Sequence, residues 1–212
     1  MIRLSKAGKM PCKSWSLEAG KTCPGSIDFI TGETLPVCAG CYAKAGNYNY
    51  PNVKAPREEN RTDWKRDGWV ADMVAALETE RYFRWFDSGD CYHHALAEKI
   101  YTVMVLTPWV KHWIPTKSYT IPKIAVWLDR MDALENVKVR RSSPSIDGSY
   151  TMGVHGSTVV PYADTVTSAT LCGAYDRDGK CGPCRACWNK SVDVIAYPAH
   201  GKKLVSIIKK AA

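Results

Sequence analysis

The feature that most constrains this chain is a tight group of cysteines near its end. Cys172 is followed by Cys181-Gly-Pro-Cys184-Arg-Ala-Cys187. Two-residue gaps turn successive sulfurs toward one centre, and Gly179, Gly182 and Pro183 permit the tight turns that this requires. Four thiolates complete the shell of a [4Fe–4S] cluster or of a tetrahedral zinc. Three cysteines in succession at this gap are ferredoxin-like, whereas structural zinc sites more often split into two separated Cys-x-x-Cys knuckles, so the spacing favours the cluster.

A second constellation lies near the start, where Cys23 is followed after fourteen residues by Cys38-Ala-Gly-Cys41-Tyr42. Three thiols leave one iron of a cubane without a protein ligand, which is where a substrate or cofactor binds. The expected metal ligands are therefore Cys23, Cys38 and Cys41 in an open set and Cys172, Cys181, Cys184 and Cys187 in a closed one, two clusters in all. Cys12 and Cys91 stand outside both sets, because a lone cysteine is most often a small buried hydrophobe.

Nine cysteines in 212 residues would suggest disulfides in an exported protein. Residues 1–10 contain no apolar run of the secretory kind, so a reducing cytoplasm and metal-bound or reactive thiols are expected instead. No stretch reaches the roughly 18 apolar residues of a membrane span, and no membrane partner is expected. The net charge of +8 suits acidic partners, nucleic acid among them. Tyr42, Tyr48, Tyr50, Trp64 and Trp69 are interleaved with Lys44, Lys54, Arg57, Arg61, Lys65 and Arg66, a mixture able to stack on single strands. No nucleic-acid motif accompanies them, and core aromatics beside a solvated basic face are the favoured reading. The other partners in view are a small-molecule substrate or an electron donor.

Residues 1–60 are rich in Gly, Pro, Cys and Tyr and predict a loop-dominated, cluster-binding segment. Residues 61–170 read as a βα core. Trp69, Val70, Met73, Val74 and Leu77 share one helical face, as do Leu96, Ile100 and Val103, and then Ile124, Trp127, Leu128, Met131 and Leu134. Thr120 is the expected N-cap of the last of these, with Pro122 just inside it. Strands are expected at 82–86, 113–120, 137–142, 165–171 and 192–197, separated at 143–164 by a Gly/Ser-rich connection. Residues 171–212 hold the four-cysteine loop and the final strand. Alternating strands and helices predict a single α/β domain with a parallel sheet or partial (β/α) barrel. In such folds functional residues collect after the carboxyl ends of strands, where Asp90, Ser142 and Ser143 fall. His93 and His94 follow Cys91 but point apart at a helix start, so capping or surface roles are expected. His200 lies in a loop after the last strand and reads as structural.

The ordered set Ser16-Leu-Glu-Ala-Gly-Lys-Thr-Cys23-Pro24-Gly25, Cys38-Ala-Gly-Cys41-Tyr42, Trp85-Phe-Asp87-Ser88-Gly89-Asp90, Thr116-Lys117-Ser118, Arg141-Ser142-Ser143 and Gly179-Lys-Cys181-Gly-Pro-Cys184-Arg-Ala-Cys187-Trp188 resembles the phage gene-product-88 proteins. The resemblance implies a phage-encoded protein, in the cytoplasm of its host, with its cysteines in a three and a four, and it adds weight to Lys117 and Ser118 as site residues. A more distant likeness is to radical S-adenosylmethionine enzymes. It places Cys38, Cys41 and Tyr42 on the second half of a cofactor-binding loop and Ser88-Gly89-Asp90 on an acidic turn after the second strand. The long gap from Cys23 to Cys38 departs from that loop. This likeness implies S-adenosylmethionine as a further cofactor at the open iron, with Tyr42, Ser88, Gly89, Asp90 and Ser142 binding it and Asp90 and Lys117 as catalytic candidates.

Overall fold

The computed structural model describes residues 2–165 and 167–211. In chain order the elements are β1 (Lys13–Trp15), α1 (Pro36–Ala39), α2 (Pro51–Asp63), α3 (Trp69–Ala76), β2 (Tyr82–Trp85), α4 (His94–Leu106), β3 (Lys111–Thr116), α5 (Pro122–Asp132), β4 (Val137–Arg141), β5 (Ser157–Val160), β6 (Thr170–Leu171), β7 (Ile195–Pro198) and α6 (Lys202–Ala211). Strands β1 to β4 form one sheet in sequential order, and β5, β7 and β6 form another in that order. Every pairing in both is parallel. A parallel bridge between Ser142 and Ser157 joins the end of β4 to the start of β5. The expected α/β class with parallel sheets is what forms. Placing β7 beside β5 breaks the sequential order that a simple barrel would keep.

Parallel strands covered on both faces carry buried side chains on both faces, and β3 shows why. His112 and Ile114 point into a core with Phe83, Trp85 and Val139, roofed by Met73 and Leu77 of the α3 end, Ile100 of α4 and Leu128 of α5. Trp113 faces the opposite way, against Trp188, Met10 and Cys12. The first core centres on aromatic contacts, with the Trp15 and Trp69 rings edge to face at 5.5 Å. The second face of the sheet presents Tyr82, Arg84, Trp113 and Arg140, and the four-cysteine segment lies over it: Arg140 donates to the carbonyl of Cys187, and the Trp188 indole donates to the Phe83 carbonyl.

The helices at 69, 94 and 122 form where apolar periodicity places them. His93 caps α4, its Nδ1 accepting from the Ala95 amide at 3.1 Å. Several expectations need correction. The residues before α5 make a 3₁₀ turn (Ser118–Thr120), Ile121 occupies the N-cap position, and the Thr120 hydroxyl donates back to the Lys117 carbonyl. The strand expected at 165–171 forms at Thr170–Leu171, with Val166 outside the described residues. The Gly/Ser-rich connection contains β5, and β1 lies in the segment expected to be loops. That segment also holds α2. It escapes the periodicity test because it is attached to the core by polar groups: its buried residues are Arg57 and Asn60, and Asn60 donates to the carbonyls of Arg3 and Ser16. The chain ends in α6 rather than in a strand, with Leu204 and Ile208 buried. Among the described residues no helix is long and apolar enough to cross a membrane.

Candidate functional site

Because the strands run parallel, their carboxyl ends share one side of the molecule, and the loops that leave them enclose a cavity of about 360 Å³. Gly89 and Asp90 come from the end of β2, Thr116 and Lys117 from that of β3, Ser142 from that of β4 and His200 from that of β7. The two cysteine sets, far apart in sequence, meet there. Cys23, Cys38 and Cys41 line the cavity, and so do Cys172, Cys181 and Cys187; Cys184 is exposed and stands outside it. All nine cysteines are free thiols.

The turn after β2 is the most constrained part of the wall. Phe86 adopts φ 61°, a left-handed conformation that is strained for a bulky side chain. It is held there by its amide donating to the Trp15 carbonyl at 2.8 Å. Gly89 follows at φ 72°, and a Cβ on it would lie 2.6 Å from that of Leu17. The Ser88 hydroxyl accepts from Arg57 Nε at 2.6 Å and donates to the Leu17 carbonyl at 2.7 Å. Ser88 and Gly89 therefore shape the wall, the first through its hydroxyl and the second through its close approach to Leu17. Asp90 accepts from the Cys91 amide, the Thr116 hydroxyl and the Lys117 amide, each at 2.7 Å. Its burial pushes the carboxyl above the usual carboxylate range, against the pull of these donors. Tyr42 donates to the Asp87 carbonyl at 3.1 Å, and its ring lies 4.9 Å from that of His200. Ser142 accepts from Ser157 Oγ at 3.3 Å.

The thiols around the cavity are electrostatically coupled to one another, Cys12 to Cys181 among them. Burial pushes Cys23 up to about 12, with Asp90, Cys41 and Cys38 adding to the rise and the Gly20 amide, 3.5 Å from its sulfur, opposing it. Cys38 is raised by burial and by Cys41 and held down by Lys117 and Lys44. In the other set, burial raises Cys181, with Lys9 opposing and Cys172 and Cys184 adding to the rise. Burial also raises Cys187, against the Tyr197 hydroxyl 3.3 Å from its sulfur and against Arg140, while Cys172 again adds. In each of these four thiols burial is the largest influence and favours the protonated form, with N–H or O–H donors or cations beside it opposing that rise.

Among the described residues no three His, Cys, Asp or Glu side chains are gathered closely enough to hold a single metal ion. The cysteine donors that line the cavity are of the type that holds an iron–sulfur cluster.

Cys12 and Cys91 are buried, Cys12 in the cluster with Trp113 and Trp188 against which Cys181 and Cys187 pack. His93 and His94 stack on each other at 4.5 Å, away from the cavity lining. Trp64 and Trp69 are core residues, and Arg57, Arg61 and Arg66 are ion-paired with Asp87, Glu58 and Asp63. Ser118 is fully buried beneath the turn and Ser143 supports the bridge to β5. Residues that sequence reasoning passed over also line the cavity: Lys9, Arg84, Tyr197 and His200, the last read only as structural. The one signal for Arg84 was a lone cation in the aromatic strand Tyr-Phe-Arg-Trp.

Residues 2–190 match the family model described as gene product 88. No curated protein and no solved structure matches the chain. The matched segment contains all nine cysteines, the turn after β2 and strands β1 to β6, leaving β7 and α6 beyond it. On that coverage the chain belongs to the gene product 88 family.

Proposed function

We propose that this gene product 88 protein is a phage-encoded iron–sulfur protein of the host cytoplasm with two [4Fe–4S] clusters and a single reaction chamber between them. Cys172, Cys181, Cys184 and Cys187 would hold the closed cluster, and Cys23, Cys38 and Cys41 would hold one with a coordination position left without a protein ligand. The observation that carries this reading is the convergence of both cysteine sets on one cavity, although more than a hundred residues separate them. When bound, a cubane with an open iron supplies single electrons and a coordination position suited to redox or radical S-adenosylmethionine-like chemistry.

The chain's own residues supply the rest. The open set is bounded by Asp90, whose three donors fix its carboxyl, and by Lys117, whose charge is felt at Cys38. Tyr42 closes one side, hinged to the turn after β2 through the Asp87 carbonyl. The parallel run from β1 to β5, joined at Ser142 and Ser157, supports a partial-barrel reading of that part of the fold.

The test is elemental. Protein purified and reconstituted without oxygen is expected to carry about eight iron and eight sulfide atoms, the content of two cubanes. Cys23→Ser and Cys187→Ser are each expected to remove about half. Equilibrium dialysis with S-adenosylmethionine then checks the open site, with Cys38→Ser as its control. Zinc in place of iron, at one or two atoms per chain, would overturn the reading in favour of a structural zinc protein. Full iron without S-adenosylmethionine binding would retain the clusters and turn the reading to electron transfer or redox sensing.

A further inference from the structure

Arg84 leaves the middle of β2 on the face opposite Phe83 and Trp85 and enters the cavity wall. Its guanidinium lies 4.4 Å above the ring of Trp113, which also lines the cavity. Stacked in this way, a guanidinium keeps its edge donors available. Those donors are poorly used. One Nη donates to the Met10 sulfur at 3.4 Å, a weak acceptor, and the buried Nε has no hydrogen-bond partner among the described residues. The indole Nε1 of Trp113 is likewise buried and unpartnered.

No carboxylate answers this charge. Asp87, which Arg84 feels, is committed to Arg57 at 3.1 Å, and Asp90 takes its three hydrogen bonds from Cys91, Thr116 and Lys117. Lys9 and Lys117, on the same cavity, form no ion pair among the described residues either. Two orphaned N–H donors, one on a guanidinium set over a ring and one on that ring's own indole, match a planar or tetrahedral oxyanion.

We propose that the cavity binds an anionic ligand whose carboxylate or phosphate group is held by Arg84 and by the indole N–H of Trp113. This deepens the reading above by naming the substrate class of the shared chamber, but the two donors are in place whether or not iron is bound. A compensating charge for a cluster would need only proximity; unpartnered directional donors call for an acceptor within hydrogen-bond reach.

Calorimetric titration of the reconstituted protein, its iron measured on the same sample, tests this with inorganic phosphate in one arm and succinate in the other. Saturable binding of one anion at one site per chain is expected, and the arm that responds tells phosphate from carboxylate. Arg84→Met should weaken it at least tenfold and Arg84→Lys less, with Trp113→Phe, which keeps an aromatic face beside Arg84 but loses the indole N–H with its five-membered ring, weakening it severalfold. Circular dichroism confirms folding of each variant, and Arg84→Lys and Trp113→Phe carry the test should Arg84→Met not fold. If neither anion binds saturably, or the folded variants bind as the wild type does, the proposal is overturned. An Arg84-dependent anion site in a protein that loads no iron would uphold this inference and overturn the cluster reading; full iron without anion binding would do the reverse.

Discussion

Arg57 of α2 and Asp87 of the turn after β2 form an ion pair at 3.1 Å with side chains only 7% and 5% exposed. Nε of the same arginine holds Ser88, so one guanidinium fixes two consecutive residues of the cavity wall. Its Nη1 returns to the Val53 carbonyl within its own helix.

Removing one member of this pair strands a charge in the interior. Arg57→Met or Asp87→Ala is expected to cost about 3–5 kcal/mol of stability. Combining the two should recover part of that loss, because the stranded partner is gone. Urea unfolding of the single and double variants measures both effects. A loss below about 1 kcal/mol would show that solvent reaches the pair.

His112 gives the protein a defined acid sensitivity. Thr107 Oγ1 donates to the Val103 carbonyl at 2.7 Å, so at its 2.9 Å contact with His112 Nε2 it must accept. Nδ1 in turn accepts from the Trp85 indole at 3.3 Å, which fixes the neutral ring with its proton on Nε2. Burial pushes the imidazole down to about 3 from an ordinary 6.5. With the folded value depressed, the unfolded chain binds the extra proton between these limits. The stabilisation is therefore complete above about pH 6.5 and is lost as pH falls toward 3, by about 1.4 kcal/mol per unit. His112→Gln should flatten this slope, as urea midpoints at pH 7.5 and 5.0 will show.

Gly25, two residues after Cys23, lies against β3's loop: a Cβ there would sit 2.2 Å from the Lys117 carbonyl oxygen. Gly25→Ala must displace the backbone that donates to Asp90 and is expected to destabilise by about 1–3 kcal/mol. Gly8→Ala, with nothing within 4 Å of its added carbon, should stay within about 0.5 kcal/mol of the wild type. Thermal denaturation of the two variants side by side checks the contrast.

Arg140 is fully buried and donates to six carbonyls, those of Gly156, Ala186, Cys187, Asn189, Val192 and Asp193. It pins the segment bearing Cys187 to β4. Arg140→Met, leaving these acceptors without their donor, is expected to cost at least about 3 kcal/mol. Arg140→Lys, with three donors, should fall between the two. Limited proteolysis near residues 186–193, read alongside urea unfolding, distinguishes a released segment from global loss.

Sequence alone determined the helices at α3, α4 and α5, because each buries an apolar stripe at helical spacing, and it determined the strands after them, because short apolar runs between helices pair in parallel. It also placed Cys38 beside Cys41, and Cys181, Cys184 and Cys187 in one run, at local gaps of two residues. It was blind where attachment is polar. Helix α2 is docked through Arg57 and Asn60, β1 and β5 are recognisable only by the strands beside them, and α6 meets the segment bearing Cys38 and Cys41 through the contact of Leu204 with Gly40. Only the tertiary structure decided that both cysteine sets open onto one cavity and that Arg84 and Trp113 stand in its wall. Those relationships are set by strand order and by which face of the sheet a residue occupies, and sequence separation carries no measure of either.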